Sequence, residues 1–558
     1  MASNFLFGED KLTVSAALDL VSGRRKGILS EIAKERILKG EQHVKKIVEQ
    51  GSTVYGINTG FGILANTRIS KEDTRLLQEK ILQSHSVGVG NAIPPAVAKL
   101  MLITKVHSLS RGYSGVQLST LVRIIWHIDN DCIPVVPEKG SVGASGDLAP
   151  LAHLFLPLIG LGTVMTKVQN DSWNEVSTTT IFEEHHLSSL QLGPKEGLAL
   201  INGTQFILAY ATMGVDRFFR CLELADWVGA MSLEALMGSA SPFDARLHEL
   251  RPFGGCQLVA QRLKKLVQGS SILKSHQDCD RVQDPYSLRC MPQVHGASRN
   301  AWLHLKELVE IELNAVTDNP IVFSEKETIS GGNFHGQPLA LPLDYACFAA
   351  AELGNISDRR SYLLIDGKWG LPTLLMDKVG LDSGFMIPQY TTAALVTENK
   401  TLCFPASADS IPTSLGQEDH VSMGSISARK LNQVIDNLEY ILSIEMLLAA
   451  QAIEFRRPLK SSALIECMHS LIRTKIEFGS KPDLICDATL STRVPVLPVP
   501  APPKTIKRAS LDPLELIESI TDSVIKDFGQ KKILVLAPLI QRKKGTYEKL
   551  KNDIYSIN

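Results

Sequence analysis

Apolar residues recur at three- and four-residue intervals over long stretches of this 558-residue chain. Over 431–455 they fall at Leu431, Val434, Ile435, Leu438, Ile441 and Leu442, and Met446, Leu447 and Leu448 extend the stripe after Glu445. That period predicts a helix with a wide buried face. The stretch 206–237 is also helical in length, with Asp216, Arg217, Arg220, Glu223 and Asp226 along it. A third helix is predicted over 302–316, closed by Thr317-Asp318-Asn319-Pro320 as a turn and stop signal. Alternating stretches are few and short. The expected class is mainly α, with a bundle of long helices as its core and a smaller N-terminal α+β region.

Turn-forming residues cluster over 51–62, 134–146 and 331–342. Loops carried on a rigid helical scaffold are where chemistry tends to sit. The stretch 494–507 is proline-rich and reads as an extended linker, followed by a weakly amphipathic helical tail over 508–558. No internal repeat is evident. The expected division is an N-terminal domain over 1–205, a central helical bundle over 206–480, and a linker with tail over 481–558, since the length exceeds what one core usually organises.

Composition narrows the class further. The chain is 44% hydrophobic and 21% charged with a net charge of −1, so no global field draws it to nucleic acid or membrane. Short basic clusters such as Arg24-Arg25-Lys26 and Arg542-Lys543-Lys544 read as solvated surface. The nine cysteines are scattered and contain no C-x-x-C, which argues against a disulfide framework or zinc site and fits a reducing compartment. The N-terminus lacks the basic and apolar regions of a signal peptide, so a cytoplasmic location is expected. Two uncharged runs, 148–166 and 197–215, contain prolines, His153 and Asn202-Gly203-Thr204-Gln205. Such groups suit buried segments of a large soluble protein better than membrane spans.

The chemistry concentrates in Gly140-Ser-Val-Gly-Ala-Ser-Gly-Asp-Leu-Ala-Pro-Leu-Ala-His153. Gly143, Ala144, Ser145 and Gly146 form a backbone able to bend tightly. Asp147 and Pro150 then read as a helix N-terminus. This string resembles the signature of the aromatic amino acid ammonia-lyase family, and further motifs follow in the family's order from about residue 12 to 457. The resemblance implies that Ala144-Ser145-Gly146 cyclises autocatalytically to a 4-methylidene-imidazol-5-one. In that reaction the Gly146 nitrogen attacks the Ala144 carbonyl and two waters are lost, one of them carrying the Ser145 hydroxyl. The product is an electrophile that ordinary, electron-rich side chains do not provide. No metal or added cofactor is implied, and the substrate is a free amino acid.

Other motifs gain roles from the same resemblance. Tyr55, in Tyr55-Gly-Ile-Asn-Thr-Gly-Phe-Gly62, matches the flexible loop of the catalytic tyrosine and is a candidate base for the β-proton, with Glu418 as its competitor. Asn202 is implied to contact the substrate and the electrophile; read alone, it caps a kinked helix. In Gln283-Asp-Pro-Tyr-Ser-Leu-Arg289, Asp284 is expected to cap a helix whose first residue is Pro285. Tyr286 and Arg289 then share a face. Arg289 is the expected carboxylate clamp, because its planar fork pairs bidentately. Tyr286 and Gln283 join the site by resemblance, and Phe334 matches the family's phenylalanine beside the electrophile. Gln337 stands where many members carry Glu.

Two positions speak to the substrate ring. Ser84-His85 falls where phenylalanine-specific members are apolar, so His85 favours a polar ring, although tyrosine-acting members also carry His there. Gln417-Glu418-Asp419-His420 resembles histidine-acting members. A carboxylate there accepts an imidazole N–H, and a phenyl ring would leave it unpaired at a cost of about 1–3 kcal/mol. The implied reaction is elimination of ammonia from L-histidine to trans-urocanate, with a tyrosine ammonia-lyase or aromatic aminomutase as the alternative. The family's homotetramers combine residues of several chains in each site, which is the assembly expected here.

Overall fold

Five long helices lie side by side and bury the longest apolar stripes of the sequence: Gln205–Ala235, Met291–Glu312, Gln337–Ile365, Met386–Leu402 and Gly424–Glu454. The computed structural model describes residues 4–51, 54–60, 69–70, 73–168, 172–380, 383–474, 476 and 478. These lie within a unit spanning residues 1–489; the proline-rich stretch and tail expected over 494–558 fall outside the described residues. The protein is mainly α, with eighteen α-helices among the described residues and strands of two to five residues.

The Gly424–Glu454 helix packs on Gln205–Ala235, Gln337–Ile365 and Met386–Leu402. Leu431, Val434, Ile435, Leu438, Ile441 and Leu442 are all fully buried. Each such side chain stabilises the fold by roughly 1.5–3 kcal/mol. This helix starts seven residues before its apolar stripe. Its first turns are fixed by hydroxyls instead: Ser425 donates to the Ser141 carbonyl (2.7 Å) and Ser427 to Asp344 (2.9 Å).

Two sequence expectations shift. The helix predicted over 302–316 runs from Met291 to Glu312, with Pro292 in its first turn, where a missing N–H costs nothing. It stops early because Asn314 turns back to exchange bonds with Leu12, donating to its carbonyl and accepting from its N–H. The turn-rich stretch 331–342 is loop only to Gly336, and Gln337 opens a helix that contains Pro342. Glu223 and Asp226 lie on a buried face of Gln205–Ala235. Arg262 and Arg299 pair with both, and His295 contacts Asp226 at 2.9 Å. Burial alone would raise the Asp226 pKa, but Arg299, His295 and Arg262 hold it below the usual carboxylate range. Beside this cluster, Arg360 grips the fully buried Glu445 with two bonds of 2.5 and 2.9 Å.

The N-terminal part mixes short strands with helices. Cys132–Pro134, Thr163–Lys167 and Trp173–Ser177 form a three-stranded antiparallel sheet, with Pro134 opposite Val164 and Thr163 opposite Ser177. Val89–Ala92 pairs antiparallel with Pro137–Lys139, the strand that leads into the small-residue loop. The two uncharged runs break as their polar residues require. The first divides into the Leu148–Phe155 helix, a 3-10 turn and a strand, and the second splits at Asn202-Gly203-Thr204. Among the described residues no helix is long and apolar enough to cross a membrane.

Candidate active site

The loop from Gly140 to Gly146 is pinned from below by the break between two helices. Gly146 adopts φ +77°, and a Cβ there would sit 2.1 Å from the Gly203 carbonyl oxygen, so the position is closed to any other residue. Gly146 bridges Gly203 in parallel register. The Asp147 N–H donates to the Gly203 carbonyl (2.8 Å), and the Gly203 N–H donates to the Ser145 carbonyl (3.3 Å). Asn202 ends the Glu196–Ile201 helix in an extended conformation, as its reading at a helix kink anticipates, and its Nδ2 donates to the same Ser145 carbonyl (3.0 Å). Its Oδ1 is buried with no hydrogen-bond partner among the described residues. Two donors therefore converge on one carbonyl oxygen, an arrangement that withdraws electron density from it.

Asp147 does not cap the helix it precedes. Its carboxylate accepts instead from the N–H groups of Phe206 (3.1 Å) and Ile207 (3.0 Å), in the first turn of Gln205–Ala235, and from Ser141 Oγ (3.1 Å). A carboxylate suits the unpaired N–H groups and positive end of that longer helix. Burial pushes its pKa up to about 7 against those hydrogen bonds. Below the break, Lys105 of the Pro95–Leu109 helix donates to the Asn202 carbonyl (2.6 Å) and to Gln205 Oε1 (3.4 Å). Burial lowers its pKa to about 7. A second buried lysine, Lys195, pairs with Asp318 at 2.6 Å.

Above the loop lies a cavity of about 240 Å³, lined by Ser84, His85, Ala144, Gly146, Thr413 and Glu418 among others. Ser145 Oγ donates to Glu418 Oε1 (3.2 Å), and Thr413 Oγ1 donates to Glu418 Oε2 (3.0 Å). Backbone bonds in both directions between Thr413 and Glu418 close the 413–418 turn and fix the carboxylate. His85 ends the Thr74–His85 helix with its Nδ1 3.0 Å from Ser84 Oγ. Burial lowers its pKa, opposed by its bond to the Ile81 carbonyl and by the Glu418 charge. The cavity thus joins a carboxylate and an imidazole beside Ala144 and Gly146, the neighbours of the polarised Ser145 carbonyl.

The remaining sequence-predicted residues lie around or away from this cavity. Tyr55 is half-buried in the 54–60 segment, whose Ile57 packs with Val44, Ile47 and Val322; Phe61 and Gly62 of its motif fall outside the described residues. Phe334 is half-buried in the loop before Gly336. A Cβ at Gly336 or at Gly143 would meet the same Ser422 Oγ, which brings the two loops together. Gln417 is exposed. Gln337 donates to the Ser407 carbonyl (3.2 Å), a bond that its amide makes and a carboxylate would not. Gln283 and Tyr286 are exposed, and Tyr286 lines a different cavity of about 530 Å³ with Cys290, Glu352 and Arg359. Arg289 stacks its guanidinium 4.6 Å from the Tyr286 ring centroid, so the two do share a face. Their helix, Tyr286–Arg289, has no side-chain cap; Asp284 instead accepts from the Ser239 N–H and pairs with Arg281.

Sequence reasoning missed Lys105, Thr413 and Ser141. Lys105 carried a signal, a lone cation inside the apolar run Met101-Leu-Ile-Thr-Lys-Val106. Thr413 and Ser141 carried none. Among the described residues no group of three or more His, Cys, Asp or Glu is placed to hold a metal ion.

Comparison with known proteins adds to this geometry. The family model described as aromatic amino acid lyase matches residues 12–474. The histidine ammonia-lyase of Pseudoalteromonas atlantica is 44% identical over 483 residues, 86% of this chain and 94% of the relative. That of Sorangium cellulosum is 48% identical, covering 81% and 89%. The crystal structure of histidine ammonia-lyase from Trypanosoma cruzi superposes with a TM-score of 0.80 at 37% identity, covering 96% of this chain and 97% of that one. Tyrosine aminomutase from Streptomyces globisporus gives 0.81 at 32% identity, covering 88% and 95%.

Proposed function

The chain belongs to the aromatic amino acid lyase family, and from that premise we propose that it is a carbon–nitrogen lyase eliminating ammonia from L-histidine to give trans-urocanate. The observation that carries the choice of histidine is the placement of Glu418 and His85 on one cavity with Ala144 and Gly146. A carboxylate beside an imidazole substrate accepts its N–H, fixing tautomer and ring orientation.

The residues present fit a methylidene-imidazolone at Ala144-Ser145-Gly146. The loop is compressed against Gly203, no side chain is tolerated at Gly146, and the Ser145 carbonyl is held by two donors. When formed, this group supplies an electrophilic methylidene carbon for the substrate amine. Asn202 Nδ2 and the Gly203 N–H withdraw electrons through the Ser145 carbonyl. The unpaired Asn202 Oδ1 is available to the substrate's ammonium end. Thr413 holds Glu418, which with His85 and Ser84 orients the imidazole, and Gln417 flanks them. Tyr55 takes the β-proton, with Glu418 as the competing base. Phe334 is assigned the place beside the electrophile loop.

Arg289, Tyr286 and Gln283 belong to the carboxylate end of the substrate. None of the three lines the Glu418 cavity of the same chain, and Tyr286 lines a separate one, which supports a homotetramer in which neighbouring copies complete each site. We propose a cytoplasmic enzyme with the division 1–205, 206–480 and 481–558, acting on a free amino acid without added cofactor.

The test is a substrate panel. L-histidine, L-tyrosine and L-phenylalanine are supplied separately to purified protein, and products are followed in the near ultraviolet. Urocanate from histidine alone is expected. Coumarate or a β-amino acid from tyrosine, with histidine untouched, would favour the tyrosine lyase or aminomutase alternative, which the likeness to tyrosine aminomutase keeps relevant.

A further inference from the structure

Lys105 is 1% exposed, and neither of its hydrogen bonds goes to a carboxylate. A buried ammonium is costly unless it is well bonded, so its placement calls for a physical reason. Its short bond, 2.6 Å, is to the Asn202 carbonyl oxygen. The N–H of that same peptide group, on Gly203, donates to the Ser145 carbonyl at 3.3 Å. Bonds at the two ends of one peptide polarise each other, and a cation on the carbonyl makes the N–H a stronger donor.

We propose that Lys105 tunes the electrophile through the Asn202–Gly203 peptide, strengthening the backbone N–H that polarises the Ser145 carbonyl. This rests on the reading that Ala144-Ser145-Gly146 cyclises. The Ser145 carbonyl is retained as the carbonyl of the ring, conjugated with the methylidene carbon. Electron withdrawal there makes that carbon more electrophilic, so Lys105 is a positioning residue that never touches substrate. The pKa lowered to about 7 by burial means that its charge sits near its limit, with Asp318, Lys195 and Asp147 as the other charged groups acting on it.

The experiment compares wild type, Lys105→Met, Asn202→Ala and the double variant. It reads the mass of the loop peptide, the near-ultraviolet band of the electrophile, and kcat and KM on L-histidine. Expected for Lys105→Met are a loop lighter by two waters, a band moved to shorter wavelength, and a kcat about tenfold lower (about 1.4 kcal/mol) with KM little changed. The band shift persists on the Asn202→Ala background, because it travels through the backbone. An unchanged band and kcat would overturn the proposal. So would a shift that vanishes with Asn202→Ala, which would make Lys105 a support for that side chain alone, or a folded Lys105→Met chain that keeps both waters. A wild-type loop that keeps both waters defeats the cyclisation reading instead. Should Lys105→Met not fold, the wild-type band is titrated across neutrality, with Asp147→Asn titrated in parallel. A band that shifts in both supports the proposal, and a band fixed in both, or moving only while Asp147 is present, contradicts it.

Discussion

Ser145 Oγ and Glu418 Oε1 stand 3.2 Å apart although 273 residues separate them in sequence. Before cyclisation the bond ties the loop proposed to form the electrophile to the loop proposed to read the substrate ring; the reaction removes this hydroxyl and frees that carboxylate oxygen for the substrate. Since Thr413 occupies the other carboxylate oxygen, Glu418 has little freedom to turn away. Glu418→Gln keeps the shape but removes the charge. It is expected to lower kcat on histidine about ten- to hundredfold, the worth of one charge-assisted hydrogen bond. Steady-state kinetics on wild type and variant check this, and an unchanged kcat would remove Glu418 from the reaction.

Asp147 satisfies two buried N–H groups of the Gln205–Ala235 helix. Asp147→Ala orphans both and is expected to destabilise the fold by about 2–4 kcal/mol, with Asp147→Asn milder because one acceptor remains. Urea titration followed by circular dichroism measures both.

Arg360 and Glu445 are both fully buried. Arg360→Met leaves Glu445 charged and unpaired, at an expected cost of about 3–5 kcal/mol. The double change Arg360→Met with Glu445→Leu removes both charges and is expected to melt higher than Arg360→Met alone. Thermal melts of both variants decide it.

Glu234 is buried, accepts the Ser462 N–H (3.2 Å), and is pushed by burial up to about 7. A carboxyl raised above its unfolded value contributes stability that is fully present below about pH 4.5 and lost as pH climbs through about 7. Glu234→Gln is therefore expected to stabilise the protein above neutrality by up to about 3 kcal/mol, and to flatten the loss of stability between those limits. Melting temperatures across that range, wild type against variant, provide the check.

How much of this was legible in the sequence differs from residue to residue. The mainly α class followed from stripes such as Leu431-Val434-Ile435-Leu438, because a helix that buries one face must repeat near 3.6. The proximity of Ala144, His85 and Glu418 was legible only through motifs, since nothing in local pattern says that residues 85, 144 and 418 meet. Asp147 was read as a cap, which it is, but for a helix that begins at Gln205, and capping rules written for neighbours cannot name a distant helix. Lys105 stood out only as a lone cation in an apolar run, and its partners at Asn202 and Gln205 were invisible in one dimension. Asp284 lost its expected role to Ser239 and Arg281, partners invisible in one dimension.

The central claim is that the chain's own Ala144-Ser145-Gly146 drives ammonia elimination from histidine, and the direct measurement is urocanate formation from L-histidine by wild type and Ser145→Ala side by side. The account predicts steady urocanate release by the wild type and a fall of at least about a thousandfold in the variant, about 4 kcal/mol of lost transition-state stabilisation. A folded Ser145→Ala enzyme that forms urocanate at the wild-type rate would contradict it.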